Sequence, residues 1–105
     1  MLSKKFRLTR KRINIIYKKG SSKKFGVFGI KLLKNNSGVP RFSIVIPQKV
    51  VKKAVARNRI RRVIFSVIEQ VLKTDSLPSV DYIIRLYKET DEKSIKEQIL
   101  ELKNV

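Results

Sequence analysis

A chain of 105 residues supports one hydrophobic core and not two. It carries a formal net charge of +18, from 26 lysines and arginines against eight acids, and it contains neither cysteine nor histidine. Those absences exclude disulfides, thiol nucleophiles, imidazole acid–base chemistry and ordinary zinc sites.

Hydrophobic content of 42% fits a folded globule rather than a basic tail. No apolar run approaches membrane-spanning length, and the N-terminus lacks the apolar core of a signal peptide, so a cytoplasmic protein is expected. The charge is strongly asymmetric. Residues 1–68 hold twenty of the cations and no acid, whereas residues 69–105 hold the other six cations and all eight acids. A fold this basic repels itself, so the charge is expected to serve a polyanionic partner. Nucleic acid fits best; an anionic membrane fits poorly, because no strongly basic helix keeps a free apolar face.

Residues 1–8 read as a flexible basic arm on a single domain spanning 1–105. Thr9 is placed to cap a helix over Arg10–Lys19, with Gly20 as its stop. Ile13, Ile16 and Tyr17 share one face of that helix. Core packing is the simplest role for that face, and a half-exposed Tyr17 stacking on a base is the alternative. Residues 21–24 read as a basic turn, and residues 25–33 (FGVFGIKLL) as one strand whose glycines mark a bulge or a close backbone approach. Phe28, Ile30 and Leu32 point one way along it; Phe25, Val27 and Leu33 point the other. A turn over 34–40 leads to a short, nearly all-apolar strand over 41–46, expected to be central and ended by Pro47.

Residues 49–72 (KVVKKAVARNRIRRVIFSVIEQVL) dominate the chain. Ile60, Val63, Ile64, Val67, Ile68 and Val71 recur at helical spacing and form an apolar stripe. The first half instead gathers Lys49, Lys52, Lys53, Arg57, Arg59, Arg61 and Arg62 with no acid among them. On an ideal helix Asn58, Arg59 and Arg62 lie away from the stripe, but Lys53 and Arg57 fall on its side. Burying unpaired cations is costly, so the first turn should overhang the core and project Arg57 and its neighbours toward an anion. A free helix N-terminus there would suit phosphate. A strand over 81–88 and a helix capped by Thr90 or Asp91 complete the chain, with Ile95, Ile99, Leu100 and Leu102 facing inward. The order helix, strand, strand, basic helix, strand, helix indicates an α/β (α+β) two-layer sandwich: one mixed sheet with covering helices. The general rule makes its strand–helix–strand crossover right-handed.

Three nucleic-acid classes share this profile. A ribosomal protein or ribosome-assembly factor would have the same size and charge. A DNA regulator fits less well, because no short helix and turn precede the basic helix. The third is suggested by Lys53-Ala54-Val55-Ala56-Arg57-Asn58-Arg59-Ile60-Arg61-Arg62, with its strand before it and Asp81-Tyr82-Ile83-Ile84 after it. In this run the chain resembles the protein subunit of bacterial ribonuclease P, and the first helix ending Tyr17-Lys18-Lys19-Gly20 extends the likeness over nearly the whole chain. Three places depart from the family pattern. Arg12-Ile13 stands where an Asp-Phe pair is frequent, Val51-Lys52 where a glycine and one residue fewer are usual, and Phe65-Ser66 where an Arg-Glu pair is common.

The resemblance implies a left-handed crossover, as in a ribosomal-protein domain of the same architecture, in place of the right-handed one. It implies no catalytic residue and no metal ligand on this chain: an RNA subunit would cleave the 5′ leader from precursor tRNA with magnesium ions. Lys49, Lys53, Arg57, Asn58, Arg59, Arg61 and Arg62 would face that catalytic RNA. Ile13, Tyr17 and Phe28 would line a groove for the single-stranded leader. The protein would be a monomer without RNA, with catalytic RNA and precursor tRNA as its partners and no membrane.

Overall fold

The computed structural model describes residues 4–74 and 77–104. In chain order it has helix α1 (Arg10–Lys19), strands β1 (Ser21–Phe25), β2 (Phe28–Lys34) and β3 (Arg41–Val45), helix α2 (Ala54–Thr74), strand β4 (Val80–Leu86) and helix α3 (Glu92–Leu100). Short 3-10 segments, Lys4–Phe6 and Glu101–Asn104, flank them. The four strands form one mixed sheet in the order β1-β2-β4-β3, with only β3 and β4 parallel, joined through α2.

Local signals account for the helix ends. Thr9 accepts the N–H of Arg12 at 3.3 Å to cap α1, and Asp91 accepts that of Ser94 at 3.1 Å to cap α3. Gly20 ends α1 at φ −75°, without the left-handed turn usual at a helix stop. Crowding is what demands glycine there: a Cβ would lie 2.6 Å from the Ile16 carbonyl oxygen and 2.8 Å from that of Leu32.

Three expectations about strands are corrected. Residues 21–24 form β1 rather than a turn, and residues 25–33 are a hairpin, not one strand. The two-residue connection Gly26–Val27 works because Gly26 takes φ +55°, a conformation that a side chain disfavours. β1 is polar because it is an edge strand, exposed at its first four residues. β3 also lies at an edge instead of centrally; β2 and β4 are the inner strands. Its apolar run is explained by the arm: Arg7 bridges Phe42 in parallel, and the Leu8 N–H donates to the Phe42 carbonyl at 3.2 Å. From Lys4 onward the arm thus lies along β3, while residues 1–3 fall outside the described part.

The core occupies one face of the sheet. Phe28, Ile30, Phe42, Tyr82, Ile84 and Leu86 meet Ile60, Ile64, Val67, Ile68 and Val71 of α2 and Ile95 and Ile99 of α3. Phe42 and Tyr82, paired across β3 and β4, stack with centroids 5.1 Å apart. Phe65 joins this core and Val63 is half-buried, so the α2 stripe is as its periodicity predicts, one aromatic wider. Leu102 is buried, but Leu100 is 42% exposed rather than inward. Ile95, Ile99 and Leu102 keep the i, i+4, i+7 line, from which Leu100 departs. On the opposite face α1 packs on β2 and β4, with Ile16 and Ile83 buried there. α1 covers only part of that face.

Candidate nucleic-acid interface

One cationic surface is the N-terminal half of α2 with the loop before it. Val55 is 77% exposed and Lys52, Lys53 and Ala54 are exposed, so the first turn overhangs the core as its sequence predicts. Arg57 does not project from it. Its Nη1 donates to the carbonyl oxygens of Val51 (3.0 Å) and Lys52 (2.7 Å), folding the half-buried side chain back onto the loop. Two charge-assisted hydrogen bonds to loop carbonyls hold it there, and this replaces the expected outward pose. Arg61 is half-buried and donates to Asn58 Oδ1 at 3.1 Å. Lys49, Lys53, Arg59 and Arg62 are exposed, and Arg59 and Arg62 have no ion-pair or hydrogen-bond partner among the described residues. They are the guanidiniums most ready to meet phosphate.

A second surface is the groove beside α1 on the sheet face that α1 leaves open. Buried Ile83 and Gly29 and exposed Tyr17 and Tyr87 line it, with Lys23, Lys24, Lys31 and Arg85 around them. One cation lies near the ring of Tyr17 and two lie near that of Tyr87. Lys31 Nζ lies 5.6 Å from the Tyr17 centroid, while Lys24 Nζ and Arg85 Cζ lie 5.9 and 5.8 Å from that of Tyr87. An exposed ring beside cations is a platform for an unpaired base and its phosphate.

Tyr17, 42% exposed, lies in this groove, as the resemblance implied, rather than in the core, the simpler expectation for its helix face. Phe28 does not: it is 1% exposed and belongs to the core under α2 and α3. The pleat decides this, because Phe28, Ile30 and Leu32 face the core and Gly29 and Lys31 face the groove. Ile13 is half-buried on α1 and does not line the groove. Tyr87 is the aromatic missed. Asp81, Ile83, Arg85 and Tyr87 alternate with Tyr82, Ile84 and Leu86, and that period of two was the available signal.

What fixes α1 beside the groove is a buried carboxylate. Asp81, with no exposed surface, accepts from Arg12 Nε, from Arg41 Nε (2.8 Å) and Nη2 (2.9 Å), and from Asn35 Nδ2 (2.7 Å). Arg12 Nη2 also donates to the Lys34 carbonyl at 2.9 Å. One acid thus joins α1, the 34–40 turn and β3. Burial alone would raise the Asp81 pKa. The hydrogen bonds from Arg41, Arg12 and Asn35 outweigh it and hold the group below the ordinary 3.8. Arg12, at one of the departures from the family pattern, is therefore a tether of the first helix. Among the described residues no three of the His, Cys, Asp and Glu side chains are grouped to hold a metal ion, and no helix is long and apolar enough to cross a membrane.

Known proteins share this fold. The RNase P protein of Staphylococcus aureus is 25% identical, with a TM-score of 0.78 over 90% of this chain and 88% of that one. That of Thermotoga maritima is 24% identical, with a TM-score of 0.80 over 94% and 96%. A second S. aureus structure covers 100% of this chain and 94% of its own at 24% identity and a TM-score of 0.74. No curated protein matches by sequence search. The family model described as Ribonuclease P matches residues 2–105, and the chain belongs to that family.

Proposed function

We propose that this chain is the accessory protein of a ribonuclease P whose RNA subunit performs the cleavage. In this reading the α2 ridge binds the catalytic RNA by its phosphates, led by Arg59 and Arg62 with Lys49 and Lys53. The Tyr17–Tyr87 groove holds the single-stranded 5′ leader of precursor tRNA. Magnesium acts on the RNA subunit, and the protein is a cytoplasmic monomer until RNA binds it.

The observation that carries the reading is the difference between the two surfaces. Folded RNA is gripped through its backbone, which suits the exposed guanidiniums of Arg59 and Arg62 on a helix ridge. A single strand is gripped through its bases, which suits two exposed rings with cations beside them. Precursor-tRNA cleavage by a bacterial ribonuclease P RNA at low magnesium, with and without the protein, tests this division. Stimulation at the mature 5′ end, lost on changing Arg59 and Arg62 to alanine, is the expected result. Tight RNA binding with no stimulation by the cognate RNA would favour a ribosomal role, and cleavage by the protein alone would refute an RNA-based reaction.

A further inference from the structure

The end of β4 presents a side-chain pair that core packing does not explain. Tyr87 is 55% exposed, yet its backbone is firmly held: its N–H donates to the Val27 carbonyl at 2.8 Å. The Val27 N–H in turn donates to Gln98 Oε1 of α3 at 2.8 Å. The ring is seated on Gly29, where a Cβ would come within 2.2 Å of Tyr87 Cε2. Lys24, opposite Gly29 on β1, and Arg85 approach the ring from its surroundings. Arg85 adds a second observation. Its Nε is buried without a hydrogen-bond partner, a state that costs free energy and that an incoming acceptor could relieve by re-posing the guanidinium.

We infer that Tyr87, with Arg85 and Lys24 beside it, is a second base-stacking position of the groove, separate from that of Tyr17. This rests on the leader-binding reading above. A strand crossing the groove would place one base on each ring, its phosphates near Lys31, Lys24 and Arg85. Arg85 would exchange its orphan pose for a phosphate or a base edge. Tyr87 is thereby a specificity-determining residue: it sets how far along the leader the protein senses its substrate.

The test is binding of the holoenzyme, protein plus catalytic RNA, to precursor tRNAs with leaders of graded length and to mature tRNA. The wild type should gain affinity in two steps as the leader lengthens. Tyr87→Leu, which still covers Gly29 but offers no π face, should abolish one step, a loss of roughly five- to 150-fold for long leaders. Tyr87→Phe should keep both steps, and Tyr17→Leu should abolish the other. Lys24→Ala, on the exposed edge strand, should weaken binding at the same leader length as Tyr87→Leu, giving a second readout if the leucine variant melts early. The inference is overturned if Tyr87→Leu and Lys24→Ala match the wild type on every leader. It is equally overturned if Tyr87→Leu loses as much on mature tRNA, or acts at the same leader length as Tyr17→Leu. A wild type indifferent to leader length would sink the leader-binding reading itself.

Discussion

The ring of Tyr87 rests on Gly29 with no room for a side chain between them: a Cβ there would lie 2.2 Å from Tyr87 Cε2 and 3.0 Å from Cζ and Oη. Gly29 has an ordinary strand conformation, so its smallness serves the approach of the ring and not a special backbone angle. Gly29→Ala should therefore swing the free end of Tyr87 aside without unfolding the sheet. The expected outcome is weaker binding of long-leader precursor, unchanged binding of the catalytic RNA, and a melting temperature close to that of the wild type. Equal loss on both ligands would mean that the alanine disturbs the sheet itself.

Phe28 supplies the contrasting case on the adjacent residue. It is buried between the sheet and the α2–α3 layer and stacks on Phe25 with centroids 5.6 Å apart. Phe28→Ala should cost about 3–5 kcal/mol of stability, the range for emptying a core aromatic site. Denaturant unfolding measures this directly. A variant as stable as the wild type but unable to hold the leader would return Phe28 to the groove.

Asp81 makes stability depend on acid in a definite direction. Its folded pKa lies below 3.8, so its contribution is complete above the unfolded value and is lost as the pH falls through the folded one. The arginines remain charged throughout. Asp81→Asn should cost about 3 kcal/mol at neutral pH, the low end for breaking a buried pair, since both arginine side chains are 24% exposed. The stability difference between wild type and variant should shrink as the pH drops below 3.8; taking the difference removes the parallel titration of the exposed cap Asp91, whose pKa is also lowered. A difference independent of pH down to full protonation would show that Asp81 is not ionised in the fold.

Much of this arrangement is legible in the sequence because it is local. Thr9 and Asp91 announce their helices by capping chemistry, and the α2 stripe follows from spacing alone. What escapes is set by distant partners. Phe28 is grouped correctly with Ile30 and Leu32, but with apolar residues on both sides of the strand only the position of α2 decides which side is core. β1 is polar at every exposed position, so nothing in its residues separates an edge strand from a turn. Asp81 looks like any strand-initiating acid until Arg12 and Arg41, 69 and 40 residues earlier in the chain, converge on it. Arg57 sits in the basic run that marks the cationic face, and only the path of the preceding loop turns it inward.

That last difference separates arginines that the sequence treats alike. Arg59 and Arg62 are exposed and without a partner among the described residues, whereas Arg57 fastens the carbonyls of Val51 and Lys52. If about six phosphates are neutralised on the catalytic RNA, log affinity should fall against log salt with a slope of about −4 to −5. Arg59→Ala and Arg62→Ala should each make the slope shallower by about 1 and leave thermal unfolding almost unchanged. Arg57→Ala should lower the melting temperature, because two carbonyls lose their donor, and should weaken RNA binding mainly through the displaced loop. Arg57→Lys should restore part of it, since both bonds leave the single nitrogen Nη1 and an ammonium carries enough N–H donors for two carbonyls. Salt titrations of RNA affinity alongside thermal melts of the four variants measure both effects. Should Arg57→Ala flatten the salt response as much as Arg59→Ala while melting like the wild type, the guanidinium must leave the loop for a phosphate when RNA binds.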